Sequence, residues 1–347
     1  MRRPRSIYLA GRAVDFLCAG VASLLAFAVL KALQGRVSDE TVTSVSLGSF
    51  YWVVNGMHFS ATNYRLYRSS ESIAQYPLTA AAVPAVVLAA VAAALRWPAV
   101  VAPAFIKLFL LWSPYHYSGQ TRGLSMLYAR RSGFEPPRWA WLALSGFIFG
   151  TYVVSVARAD SGLGRADFFG VKYPSLGLPP AAAPVLETLM WACGAVFLAG
   201  CLLWCRKARR GVPAIVLVPA AAQCLWFLPG PGLPPFYLLV PFFHGLQYLV
   251  VAWFMQVQER AGQPRARPSR SWLASETSQW LALNLAGYGA LFWAFPKLVA
   301  AVTGAPPLFA LPVAIAGVQI HHFFVDGVIW KLRNPRVASP MTADLPL

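Results

Sequence analysis

Charge is what this chain has least of. Only 12% of its 347 residues are charged, and just 12 of them are Asp or Glu against 29 Lys or Arg. An ordinary soluble domain carries about 25% charged residues. With 58% apolar residues and a mean hydropathy of +0.55, the chain has too few ionic groups to coat a water-soluble globule. The same composition excludes a disordered chain, a collagen, a coiled coil and a disulfide scaffold. Carboxylates are rarest in the apolar stretches, which hold only Asp15, Glu187 and Asp326. A soluble-type di-iron centre needs several Glu, so that class is excluded too.

Other signals are missing. The five cysteines, Cys18, Cys193, Cys201, Cys205 and Cys224, form no Cys-x-x-Cys pair and sit in or beside apolar segments. They read as small fillers, with no disulfide and no zinc ribbon. There is no phosphate loop, no Gly-x-Ser-x-Gly, no His-Glu-x-x-His and no dinucleotide fingerprint. In a soluble protein a net charge of +17 would point to nucleic acid. Here the basic residues are expected to collect in cytoplasmic loops, and no nucleic-acid partner is expected. The excess of Arg over Lys and the abundance of Ala point to a GC-rich bacterial genome.

What is present is a series of apolar runs long enough to cross a bilayer, each about 17–25 residues. The pattern predicts an all-α, polytopic transmembrane helical bundle of about ten spans, at 14–33, 47–67, 78–95, 100–117, 139–156, 185–205, 212–228, 236–257, 280–302 and 308–330. With both termini cytoplasmic, 21 of the 29 basic residues fall on the inner side. Among them are Arg2, Arg3, Arg5, Arg65, Arg68, Arg122, Arg260, Arg265, Lys331 and Arg333. This alternation supports the count. The basic start at Met1 has no small-residue cleavage site after its apolar run, so the first helix is expected to be retained. The expected domain is a single transmembrane unit over 1–337, followed by a disordered polar tail, 338–347. The long outer connection, 157–184, is expected to cap the outer face, and the inner loop 258–279 to be mobile. Lys107 lies inside a span with no evident counter-ion, and snorkelling or pairing is its expected role.

The histidines carry the chemistry. The chain has five, His58, His116, His244, His321 and His322, all within or at the end of proposed spans. Ionisable residues inside a membrane are rare and usually functional. His58, His116 and His322 lie seven, six and nine residues before inner basic markers, roughly 9–14 Å at 1.5 Å per residue. His244 precedes Arg260 by 16 residues, a depth that tilt or a projecting helix would absorb. Four helices are therefore expected to offer imidazoles to one layer. Each His has a polar companion three or four residues away on its own face: Asn55, Gln120, Gln247 with Tyr248, and Gln319 with Asp326. Such companions fix the tautomer of a metal-bound imidazole. Imidazole with one carboxylate and no thiolate fits non-haem iron or copper, with zinc hydrolysis as an alternative. His321 and His322 point about 100° apart on a helix, so one is expected to bind metal and the other to contact substrate. Tyr115 and Tyr117 flank His116 and would bond a substrate oxygen.

Four segments carry a family resemblance: Met57-His58-Phe59-Ser60 with Tyr64, Pro114 to Gln120, Phe243 to Tyr248, and His321 to Gly327 with Trp330-Lys331. Together they resemble an uncharacterised family of bacterial polytopic membrane proteins with intramembrane His motifs. The chemistry is similar in kind to membrane fatty-acid desaturases and hydroxylases, although this chain has no His-x-x-x-His and no His-x-x-His-His. It also loosely resembles membrane proteins of polyene and enediyne pathways. The expected function is that of a metal-dependent inner-membrane oxidoreductase acting on a hydrophobic, lipid-like or polyene substrate, with a cytoplasmic electron donor. Metal ligands would come from His58, His116, His244, His321 and His322. Asp326, Tyr248, Gln120 and Gln247 would serve the chemistry. The alternatives are electron transfer through haem b held by two axial His, and a transporter using the His layer as a proton or substrate path.

Overall fold

Apolar, Ala- and Leu-rich runs punctuated by Pro and Gly give a chain that is helical apart from one hairpin. The computed structural model describes residues 6–48, 51–264 and 266–346. Arg2, Arg3, Arg5 and Arg265, counted above on the inner side, and residues 49–50 of the second expected span lie outside the described residues. The helices are α1 (Arg12–Leu33), α2 (Asp39–Gly48), α3 (Tyr51–Tyr67), α4 (Ser70–Gln75), α5 (Leu78–Arg96), α6 (Val101–Ser132) and α7 (Arg138–Ala159). After strands β1 (Arg165–Phe168) and β2 (Val171–Pro174) come α8 (Ala182–Ala208), α9 (Ala214–Phe227), α10 (Pro234–Ala261), α11 (Arg270–Thr303), α12 (Pro307–Ile329) and α13 (Pro335–Met341).

Seven of these, α1, α5, α7, α8, α10, α11 and α12, are long and apolar enough to cross a membrane. The other three expected spans fall on α3, α6 and α9, of 17, 32 and 14 residues, which do not combine that length with that apolarity. Two long helices begin or continue through a wide π turn just ahead of a proline: Leu78–Ala82 before Pro84, and Ala290–Ala294 before Pro296. Proline has no N–H and its ring crowds the carbonyl four residues back. The wider turn absorbs that mismatch. Of the seven, α10 and α12 are the most enclosed, each with 61% of its span buried. Both carry site histidines, so the site sits at the centre of the bundle.

The two long connections and the C-terminal segment have structure of their own. The inner loop between α10 and α11 shortens to 262–269, because Ser269 caps α11 by accepting from the Trp272 N–H at 3.2 Å. The polar run after it then enters the helix, where Glu276 receives Arg260. The outer connection folds as the antiparallel β1–β2 hairpin. It packs on α6 through Phe168 against Phe109, and it buries Val171. At its root Asp160 forms an ion pair with Lys107. The counter-ion comes from outside the spans, 53 residues away in sequence. In the polar C-terminal segment, α13 buries Val337 and Met341. The guanidinium of Arg131 donates to the carbonyls of Met341 and Ala343 there, and to those of Ser6, Ile7 and Tyr8 at the other end of the chain.

Candidate metal centre

α3 and α10 run parallel and in register at the site. His58 packs against His244, and four residues later Thr62 bonds Tyr248, at the same 186-residue offset. Gly245 permits the close approach. A Cβ there would lie 3.2 Å from the Val54 carbonyl oxygen and 3.4 Å from His58 Nδ1. Two further helices complete the cluster, α6 with His116 and α12 with His322 and Asp326.

The imidazoles of His58, His116, His244 and His322 meet edge to face. Ring centroids are 4.8 Å apart for His58–His322 and His116–His322, 5.0 Å for His116–His244 and 5.2 Å for His58–His244. One donor atom each from His58, His244 and His322 lies within 4.8 Å of the others. The same holds for His116, His322 and Asp326. His322 belongs to both groups. That spacing is close to the ~4 Å between nitrogens on opposite sides of one ion with metal–nitrogen bonds of about 2.0–2.1 Å. His116 Nε2 and His322 Nε2 are 3.1 Å apart, and Asp326 Oδ2 is 3.4 Å from the latter and 3.7 Å from the former.

Three of the four imidazoles are closed off from solvent. His58, His244 and His322 are 0–1% exposed. Neither ring nitrogen of His58, and neither of His244, has a hydrogen-bond partner. Buried polar groups are almost always paired, and each one left unpaired costs about 1–3 kcal/mol. One nitrogen on each of these two rings lies within 4.8 Å of the other and of a His322 nitrogen, the arrangement of a cation site. Aromatic rings wall it: Tyr117 stacks on His244 at 4.0 Å, Phe323 on His116 at 4.8 Å, and Phe59 lies 4.6 Å from His322.

Thr62 joins the site without having been singled out in the sequence, and Trp330, which follows the His321 to Gly327 segment, joins it too. Thr62 Oγ1 lies 2.8 Å from His322 Nδ1, 2.6 Å from Tyr248 Oη and 3.1 Å from Asp326 Oδ1. Tyr248 donates to Asp326 Oδ1 at 3.1 Å and accepts from Trp330 Nε1 at 3.0 Å. When the Thr62 proton goes to Asp326, its oxygen accepts from His322 Nδ1–H. That tautomer leaves the Nε2 lone pair free on the side of His116 and Asp326. Thr62 lies one helical turn after His58, and that spacing is the signal that could have found it.

The remaining expected residues are placed as follows. His321 points away from the cluster and stacks on Tyr67 at 6.4 Å, with its Nε2 3.5 Å from the Tyr67 hydroxyl. Gln120 and Gln247 act on backbone rather than on imidazole nitrogens. Gln120 Nε2 donates to the His244 carbonyl and to Gln247 Oε1, and Gln247 Nε2 donates to the Ala19 carbonyl, in the π turn of α1. Tyr115 packs on Phe149 at 5.4 Å and is half-exposed.

A cavity of ≈ 480 Å³ reaches the cluster at His116 and Asp326. Gln120, Gln247 and Tyr248 also line it, and it continues to Arg122, Lys331 and Arg333. No family model, no curated protein and no solved structure matches this chain.

Proposed function

We propose that the protein is a membrane-embedded, metal-dependent oxidoreductase whose ion is held by His58, His116, His244 and His322 with Asp326. The observation that carries this reading is the set of four unpartnered ring nitrogens on His58 and His244, buried beside His322. An imidazole-rich set with one carboxylate and no thiolate favours non-haem iron or copper. Such an ion would supply one-electron chemistry to a hydrocarbon that acid–base groups cannot activate. The chain's own groups do the rest. Thr62 orients His322, Tyr248 and Thr62 hold Asp326, and the Asp326 carboxyl at the cavity end accepts or returns a proton. Tyr117, Phe323 and Phe59 keep water from the imidazoles.

Seven apolar spans support a membrane location. We extend this to ten crossings with both termini cytoplasmic in a bacterial inner membrane, α3, α6 and α9 being the polar or short crossings. The close edge-to-face packing of the four rings favours a bare ion over haem, which needs a flat slot between two axial imidazoles. The cavity opens at the basic end, which favours an enzyme over a permease. Its substrate would be lipid-like, and a cytoplasmic electron donor would dock on the basic face.

The test is metal content by mass spectrometry on the purified full chain, with an absorption spectrum of the same sample. Near-stoichiometric iron or copper without a Soret band is expected. Absence of bound metal in protein purified without chelator and then reconstituted with each ion would overturn the reading.

A further inference from the structure

The cavity at His116 has ends of opposite character. At the cluster end its one acid is Asp326, buried and bonded to Thr62 and Tyr248. Its walls are apolar, with Trp112, Leu124, Val251 and Phe323 among them. At the far end stand Arg122, Lys331 and Arg333. The positive-inside rule accounts for basic residues on this side in general, but not for their state of pairing. Some cations on this side have acidic partners, Arg65 and Arg68 in Glu259 and Arg260 in Glu276, and Arg131 is engaged by five backbone carbonyls. Among the described residues Arg122, Lys331 and Arg333 have no acidic partner. Ser145 on α7 accepts from Arg122 Nε at 2.6 Å. This anchors the guanidinium through Nε at the cavity wall.

We propose that this cavity binds a long-chain amphipathic anion. The head group sits at Arg122, Lys331 and Arg333, and the apolar chain runs past Trp112 and Phe323 to His116. This deepens the oxidoreductase reading by naming its substrate class, and it rests on that reading only for what happens at the imidazoles. Arg122 lies six residues beyond His116, and Lys331 five beyond Asp326. Along α6, at 1.5 Å per residue, Arg122 holds the head group roughly 9 Å from His116. The carbon presented to the imidazoles is therefore several bonds along the chain, not the one next to the anionic group. Two sources share this chemistry, a free fatty carboxylate and an anionic phospholipid.

The experiment photolabels the purified full chain, in zwitterionic phosphatidylcholine nanodiscs, with a diazirine-bearing palmitate and maps the adducts by mass spectrometry. Metal content is read on the same preparation. Adducts are expected on cavity residues of α6 and α12. Palmitate should compete about tenfold better than hexadecanol, the effect of one charge-assisted hydrogen bond. The exposed double variant Lys331→Gln/Arg333→Gln should lose labelling by a similar factor, with its gel-filtration profile unchanged. Arg122→Lys, which keeps the charge, should lose less than Arg122→Gln. Competition by phosphatidylglycerol but not by palmitate would identify the anion as a phospholipid. Equal competition by palmitate and hexadecanol, or unchanged labelling of the double variant, would overturn the proposal. Metal without cavity adducts sinks this proposal alone, whereas cavity adducts without metal sink the redox reading alone.

Discussion

Thr62 holds His322. Its hydroxyl oxygen lies 2.8 Å from Nδ1, while the far nitrogen of the same ring faces His116 and Asp326. A metal-bound imidazole needs such a partner on its other nitrogen, and removing one typically lowers metal affinity about 10–100-fold. Thr62→Val keeps the shape and removes the hydroxyl. It is expected to weaken metal binding by that factor in a chelator-competition assay, and Thr62→Ser is expected to restore most of it. Equal affinities for the valine and serine variants would show that Thr62 only fills space.

The adjacent pair His321 and His322 separates ligand from neighbour. His322 sits in the cluster and His321 stacks on Tyr67. Replacing His58, His116, His244 or His322 by Ala is expected to lower bound metal per folded molecule well below stoichiometry. His321→Ala should leave it at the wild-type value. Mass spectrometry of the metal in all five variants checks this, and metal loss in His321→Ala as deep as in the other four would remove the site as drawn.

The ion should also stabilise the fold. A ligand that binds only the folded state adds about 2.7 kcal/mol at a free concentration 100 times its dissociation constant. Stripping the metal with a chelator is therefore expected to lower the unfolding temperature in detergent, and adding it back to restore that temperature. The His244→Ala variant should show no such response. A chelator effect of equal size in His244→Ala would place the stabilising ion elsewhere.

Much of this centre was legible because depth can be counted along helices. Three histidines lay six to nine residues from basic markers. The misfit of His244 resolves once α10 is seen to run on to Ala261, carrying Glu259 out to Arg65 and Arg68. The choice between His321 and His322 was not legible, since a 100° step fixes only that both cannot face one point. For Thr62 the only signal was its spacing one turn after His58, easily passed over because a hydroxyl in a helix has many ordinary uses. Asp160 was missed as the partner of Lys107 because it lies just past the end of α7, outside the expected span 139–156, and only the packing of α7 beside α6 sets it against Lys107. The C-terminal segment is bonded by Arg131, more than 200 residues upstream, a link no local pattern encodes.

Gly245 sets the distance between α3 and α10. A Cβ at that position would press on the Val54 carbonyl at 3.2 Å and on His58 Nδ1 at 3.4 Å. The backbone oxygen cannot swing aside as a side chain would. Overpacking of this kind costs about 1–3 kcal/mol, so Gly245→Ala is expected to lower the unfolding temperature and weaken metal binding together. Gly289, whose added Cβ would meet nothing within 4 Å, is the control. Gly289→Ala should be neutral or stabilising, because Ala favours a helix over Gly by about 1 kcal/mol. If both substitutions behave alike, close approach is not what position 245 requires.

Arg131 joins the two ends of the described chain through one guanidinium. Nε donates to the Ile7 carbonyl, Nη1 to Met341 and Ala343, and Nη2 to Ser6 and Tyr8, over 2.7–3.0 Å. These five acceptors match the five donors of a planar fork, a geometry the three donors of an ammonium cannot reproduce. Arg131→Ala and Arg131→Lys are both expected to destabilise the protein by about 1–3 kcal/mol or more, the cost of buried carbonyls left without donors. Both should also speed proteolysis near α13. Metal content per folded molecule should stay unchanged, because no contact of this group touches the imidazole cluster. Full stability in Arg131→Lys would mean that charge alone, rather than the fork, holds the two ends together.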